Sequence, residues 1–426
     1  MSGRGAEQMS EQPLSILVLC PHYEPDTAPT GEVMTSICEQ WTARGHRVEI
    51  ITSLPWYRDH AVAEGWKGRL VRTQQEPWGR IRRWHPFPSN KRRLMARAAG
   101  FAGFTALAGI DAAIAAGRCD VVFAMSPPIT LGVAGRAAAW RGRAPLVFNV
   151  QDVFPDAAVE TGVLRSPRVA AAASRLERWV YRRAAAVTVL SEGMAENVRA
   201  KLGSDVDPDK VVVIPNTADA GRIKPADRLN SYRADLGLKD ADSTVVMYAG
   251  NLGHSQPLEM VVAAAQRFTD QGRTDVQFVV NGDGVARATV AAAAERLDNL
   301  HLVGWQPPER LGEVLAAADL HLVLLRAGLG TTSVPSKVYS VLAAGRPVLA
   351  SVDRRSEVER LLADAGAGRT VDPDDPDAFC AALAEMVADP DGLAEMGRRG
   401  RSFAAQAEGP QEIADRYLDL FGKLVE

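Results

Sequence analysis

The chain runs to 426 residues, 46% hydrophobic and 24% charged, with a formal net charge of −3, which leaves room for two or three domains and a large core. This slightly acidic balance excludes a general nucleic-acid binder, which is basic as a rule. The cysteines Cys20, Cys38, Cys119 and Cys380 show no Cys-x-x-Cys spacing; they suggest neither a metal site nor a disulfide framework, and they fit a reducing cytoplasm.

Residues 1–13, rich in Ser, Gly, Gln and Glu, read as a disordered leader. The apolar run Leu14–Cys20 lacks a basic flank and a cleavage site, so it reads as a strand and not a signal peptide. The Pro-rich loop "PHYEPDTAPTG" then enters a helix at Gly31. Thr30 and Gly31 are small enough to admit a substrate there, or Thr30 simply caps the helix. Further strands are expected at Val48–Thr52, Val121–Ala124, Leu146–Val150, Ala186–Leu190 and Val211–Ile214.

Residues 65–97 carry ten basic side chains (Lys67, Arg69, Arg72, Arg80, Arg82, Arg83, Lys91, Arg92, Arg93, Arg97) against one acid, Glu76, with Trp66, Trp78, Trp84 and Phe87 interleaved. Three readings stay open: a solvated face, a membrane-surface patch for anionic lipid or a lipid-linked phosphate, and an RNA contact. No segment reaches the about 18 uninterrupted apolar residues of a membrane span; residues 94–117 come nearest but contain Arg97 and Asp111. Gln151 and Asp152 follow a strand directly. An acid in that place can hold sugar hydroxyls or a proton, or cap the next helix. His22, His46, His254 and His301 form no recognisable pair and read as structural, although His254 lies in a glycine turn.

The strand series breaks at the polar stretch 213–243, which puts a domain boundary near residue 218. A second series follows at Thr244–Tyr248, Val276–Val280, Leu300–Val303, Leu320–Leu325 and Val348–Ser351. Runs apolar on both faces, alternating with helices, predict parallel sheets covered on both sides: two doubly wound α/β domains facing across a cleft. Three strand exits in the second half carry glycines, at Gly250, Asn251, Gly253, His254 and Gln256, at Gly282 and Gly284, and at Gly304 with Trp305. Glycine serves any tight turn, and it also lets a phosphate approach the backbone. No GxGxxG occurs, so nothing favours NAD. Lys337, behind Pro335 and Ser336, opens a helix whose first turn would ordinarily prefer an acid. It points into solvent, or it binds an anion together with Ser336 and Arg326 at the same sheet edge.

Taken together, "TGEVMTSICEQWTARGHRVEIIT", "VTVLSEGMAENV", "VVVIPNTAD", "YAGNLGHSQPLE", "NGDG", "LVGW" and "KVYSVLAAGRPVLAS" resemble the retaining glycosyltransferases of the GT-B fold, glycosyltransferase family 4, in order and spacing. The likeness covers nearly the whole chain after residue 13. It implies an acceptor-binding domain at 14–218, a nucleotide-sugar domain at 219–404, and a helix at 405–426 packing back on the first domain. It also implies a UDP-linked donor, no metal and no cofactor, Asp152 and Lys337 as catalytic groups, and Gly31 and Ser340 among the donor-binding residues. The acceptor is expected to be lipid-linked or a small molecule, and the enzyme cytoplasmic, on the inner face of the membrane. No nucleic acid is expected as a partner.

The family's two glutamates fall at Thr332 and Ser340 here, and its basic pair after the first C-terminal strand at Asn251 and Gln256. A lysine-bearing "PSK" resembles instead the branch of amino-deoxysugar transferases, such as the N-acetyl-fucosaminyl transferases, in which Lys337 would supply the diphosphate charge. Two alternatives stand beside this reading: a GT-B nucleotide-sugar 2-epimerase, and a catalytically silent homologue acting as a partner subunit.

Overall fold

The computed structural model describes residues 12–58, 60–88, 94–217, 221–240 and 242–426. The leader up to residue 11, the boundary residue 218, and Lys91, Arg92 and Arg93 lie outside the described residues. The first sheet contains β1 (Ser15–Leu19), β2 (Arg47–Ser53), β3 (Val71–Glu76), β4 (Gly79–Trp84), β5 (Val121–Ser126), β6 (Leu146–Val150), β7 (Ala186–Val189) and β8 (Val211–Val213). Its order is β3-β4-β2-β1-β5-β6-β7-β8. The second contains β9 (Thr244–Ala249), β10 (Val276–Asn281), β11 (Leu300–Val303), β12 (Leu320–Leu324), β13 (Val348–Ser351) and β14 (Gly368–Val371), ordered β11-β10-β9-β12-β13-β14. Among these strands β3 and β4 pair antiparallel and the other strand pairings are parallel.

Parallel neighbours need crossover connections, and helices supply them on both faces. Alternate residues of β1 therefore feed two cores, Leu17 and Leu19 into one, Ile16 and Val18 into the other. Tyr248 and Met247 of β9 divide in the same way. These are the two Rossmann-like, doubly wound units expected from the apolar runs.

Three strands do not read as strands in the sequence. In β4 the inward positions are Gly79, Ile81 and Arg83, so an arginine occupies a core place and hides the period of two. Gly79 is required by close approach, since a Cβ there would meet the Val48 carbonyl at 1.8 Å. Its partner β3 is half-exposed along its length. The short edge strand β14 opens with Gly368, which lies equally tightly against Val348.

The helix Leu94–Ala115 buries Phe104, Ala108 and Ala112 against the first sheet. Its stretch Ala99–Arg118 is long and apolar enough, by length and composition, to cross a membrane, although the interruption at Asp111 argues against one in the sequence. In the fold Asp111 is buried and points at the sheet, accepting from Trp84 Nε1 at 2.8 Å and pairing with Arg82 at 2.6 Å. The C-terminal helix Pro410–Val425 lies on the first sheet, where Tyr417 and Phe421 meet Trp41 and Phe123 edge-on. Within the polar break, Tyr232 and Arg233 are buried in the second unit, Arg233 pairing with Asp319 at 2.6 Å.

Candidate active site at the facing sheet edges

The two sheets meet where the loop after β6 pairs with the loop after β12. The Val153 amide donates to the Thr332 carbonyl at 2.7 Å, and Asp152 and Ser333 form a lone antiparallel bridge. Ser333 Oγ donates to Asp152 Oδ1 at 2.6 Å. Burial raises the Asp152 pKa, and the serine hydrogen bond only partly offsets this. Asp152 thus faces the second unit from the carboxyl end of its strand, where open α/β sheets gather ligands. Behind it, Gln151 links Asn149 (2.7 Å) to Asn216 (2.8 Å) in a buried amide chain. These hydrogen bonds fix the floor of the cleft on that side.

In the second unit, the loops leaving β9 and β10 run side by side. The Gly250 amide donates to the Asn281 carbonyl, and that of Leu252 to the Asp283 carbonyl. A Cβ on Gly282 would meet the Gly250 carbonyl at 1.9 Å, and one on Gly284 the Leu252 carbonyl at 2.4 Å. With φ of 148° and 155° these two positions accept only glycine comfortably. Asn251 accepts the Tyr248 hydroxyl on its carbonyl, and Gln256 accepts the Gly253 amide at 3.1 Å. Gly304 and Trp305 follow the outer strand β11 on the same edge. Exposed His254 offers its carbonyl to Arg326.

Lys337 opens the helix Lys337–Ala343 behind Ser336, whose side chain makes no cap. Its Nζ lies 3.6 Å from the centre of the Tyr248 ring and just beneath Gly250. The side chain as a whole is half-buried, but its tip is enclosed and has no hydrogen-bond partner among the described residues. Desolvation drives its pKa down to about 7. A buried ammonium without a counter-charge is costly to the protein that holds it. An anion entering between the Gly250 loop and this helix would supply the missing charge.

One expected ligand occupies another role, and the place of a missing family carboxylate is closed. Arg326 is not free for an anion, because it binds Glu259 at 2.5 Å and Asp374 at 3.4 Å. Thr332, which stands for the family's first glutamate, is 2% exposed and turns its hydroxyl to the Leu329 carbonyl. Ser340 is half-buried on the Lys337 helix.

Part of the basic segment is also committed. Arg83 is 1% exposed and bonds Gln74 and the carbonyls of Tyr23 and Glu24. Arg80 pairs with Glu49, Arg82 with Asp111, and Lys67 with Glu64. The acids that neutralise them lie outside residues 65–97, which is why the segment reads as unbalanced.

His22, read as solitary, has a partner. Its Nδ1 lies 2.7 Å from Asp26 Oδ2, in the loop leaving β1, and both residues are buried. Asp26 Oδ1 accepts the Tyr57 amide at 3.1 Å. The Tyr57 hydroxyl has its pKa raised by burial first, then by the charges of Asp26 and Asp152, so this loop and the Asp152 edge belong to one neighbourhood. Gly31 lies directly against His22 and leaves it room. The i, i+4 spacing of His22 and Asp26 was the available signal.

Residues 30–217 match the family "Glycosyl transferase 4-like domain", and residues 243–389 match "Glycosyl transferases group 1". WcaI of Escherichia coli K12, which carries the name of a colanic acid biosynthesis glycosyl transferase, is 26% identical over 389 residues, covering 88% of this chain and 92% of its own. WbjE of Pseudomonas aeruginosa, named as a glycosyltransferase, is 29% identical over 324 residues, 75% and 79% of the two chains. Among solved structures, Anabaena HepE in complex with UDP-glucose superposes with a TM-score of 0.71 at 15% identity, over 96% of this chain and 100% of its own. WaaG, described as a glycosyltransferase of lipopolysaccharide biosynthesis, does so with 0.67 at 15% identity, over 95% and 99%.

Proposed function

Since the chain carries a glycosyl transferase 4-like domain followed by a glycosyl transferases group 1 domain on a GT-B frame, it is a glycosyltransferase, and we propose that it moves a sugar from a UDP-linked donor to an acceptor hydroxyl with retention of configuration, in surface polysaccharide synthesis. The observation that carries the donor side is the uncompensated ammonium of Lys337 under the Gly250 loop. A donor diphosphate seated there restores the lysine's charge and receives stabilisation as its own charge grows in the transition state, the largest catalytic contribution in sites of this kind. Lys337 replaces the basic pair that Asn251 and Gln256 have displaced. The UDP-glucose in HepE and the colanic acid name of WcaI support the choice of nucleotide and pathway class.

The retaining step follows from the family resemblance: the acceptor hydroxyl attacks from the face the diphosphate leaves, and the departing diphosphate takes the acceptor's proton. Asp152, held by Ser333 across the cleft, then binds a hydroxyl of the transferred sugar. The epimerase and silent-subunit alternatives find no support in these relatives.

The enzyme works on a membrane face in this proposal. Beyond the paired arginines of β4, the helices Leu94–Ala115 and Thr130–Gly142 lie side by side, Gly109 against Ala134 and Gly142 against Ala116. That register brings Ile114, 74% exposed, to the same end as Trp140, 72% exposed. Exposed Arg118, Arg141 and Arg143 follow them closely in sequence. Apolar side chains with basic neighbours match an anionic bilayer surface.

Thermal unfolding in the presence of UDP-, GDP- and dTDP-sugars tests the donor assignment. Protection by a UDP-sugar is the expected result; protection by none of the three classes would remove the basis for it.

A further inference from the structure

Around His22 the structure gathers rings that the donor site does not use. Trp56 stacks on His22 with centroids 5.6 Å apart and planes 30° apart. Tyr57 meets His22 edge-on at 5.4 Å, and Phe101 meets Trp56 edge-on at 6.4 Å. Asp26 receives His22 Nδ1 on one oxygen and the Tyr57 amide on the other. Holding Nδ1–H in this way leaves Nε2 as an acceptor. Among the described residues no protein group bonds Nε2, and the indole Nε1 of Trp56 is buried without a hydrogen-bond partner. Half-exposed aromatic faces with one outstanding acceptor and one outstanding donor make a surface suited to a pyranose, which offers a C–H face together with hydroxyls.

We propose that His22, Asp26, Trp56 and Tyr57 form the acceptor subsite and that its ligand is a sugar ring, the ring packing on Trp56 and a hydroxyl donating to His22 Nε2. The proposal rests on the transferase reading above and names its acceptor class. Position supports it: the cluster leaves the same sheet edge as Asp152, and Tyr57 senses the charges of both Asp26 and Asp152. His22 is a positioning residue here, since the acceptor's proton goes to the diphosphate. Asn at position 22 keeps a donor toward Asp26 but loses the Nε2 acceptor; Phe at position 56 keeps a ring but loses the N–H.

Two readouts separate this subsite from the donor assignment. Saturation-transfer NMR of the full chain with octyl β-glucoside and octyl β-galactoside, without nucleotide, reads acceptor binding alone. Signal on the sugar protons of at least one glycoside is expected, reduced severalfold by His22→Asn and by Trp56→Phe, while UDP still protects both variants from unfolding. In turnover, KM for the glycoside should rise about tenfold in either variant with kcat nearly unchanged. No sugar-proton signal on the wild type, or a signal and KM that both variants leave intact, overturns the subsite. Loss of UDP protection in the wild type strikes only the donor reading.

Discussion

In β4 each arginine meets a partner from elsewhere in the fold: Arg80 finds Glu49 of β2, Arg82 finds Asp111 of the helix behind, and Arg83 finds two carbonyls of the loop after β1. In the second unit Lys337 reaches the face of Tyr248 and, among the described residues, no hydrogen-bond partner. Arg83 and the tip of Lys337 both lie in low-dielectric surroundings, where an unmatched charge costs several kcal/mol. The arginines have been neutralised by the fold itself, with planar donors that suit carbonyls and carboxylates. The lysine has not, and its cost is explicable when a ligand supplies the anion. A crowd of cations in sequence is therefore a weaker sign of a binding surface than one cation without a partner.

This contrast predicts opposite behaviour on deletion. Arg83→Leu should destabilise the first unit by about 3 kcal/mol, because buried carbonyls lose their donor at about 1–3 kcal/mol each. A urea titration reads this directly, and an unchanged midpoint would mean that Arg83 is dispensable to the fold. Lys337→Met should leave the unliganded protein at least as stable as wild type. Its affinity for a UDP-sugar should fall on the order of tenfold to a hundredfold, the value of one charge-assisted contact. Wild-type affinity in that variant would return Lys337 to a structural role.

The pH response sharpens the same contrast. The Lys337 pKa is depressed to about 7 in the folded state by desolvation, against about 10.4 unfolded. Between those values the unfolded chain binds the extra proton, so stability of the unliganded enzyme rises with pH across that window and the penalty is fully present below it. The slope approaches 1.4 kcal/mol per pH unit for one proton, and Lys337→Met should remove it. Donor binding runs the other way. A diphosphate favours the charged ammonium, so affinity should weaken as pH rises above about 7, as calorimetry at pH 6.5 and 8.5 can measure.

Most of the parallel framework was legible because a strand covered on both faces is a continuous apolar run, as in β5 and β12. The hairpin β3–β4 was not, since its core face includes Arg83 and its pairs come from Glu49 and Asp111, distant in sequence. Of the candidate site, the placing of the glycine loops and Lys337 at one sheet edge was readable from their positions after strands. Arg326 misled for the same reason as the hairpin: its counter-ions Glu259 and Asp374 approach only on folding. The His22–Asp26 pair was visible as a spacing, but what lends it meaning is Trp56 and Tyr57, brought alongside by the loop after β2.

The smallest expected effect separates a free arginine from a paired one. Arg141 is exposed at the end of its helix next to Trp140, whereas Arg80 is held by Glu49. If the Ile114–Trp140 face rests on an anionic bilayer, Arg141→Gln should weaken binding to phosphatidylglycerol-containing vesicles by about 1 kcal/mol, roughly fivefold. Arg80→Gln should change vesicle binding far less, since its charge is already spent within the protein. Attraction through Arg141 should fade as added salt shortens the Debye length to about 3 Å at 1 M, and the share carried by Trp140 should persist. Equal losses from the two substitutions would mean that the paired arginine still attracts the surface as a point charge, and the distinction between spent and available cations would fail on this face. No loss from either, with wild type indifferent to anionic lipid, would free Ile114 and Trp140 from any membrane role.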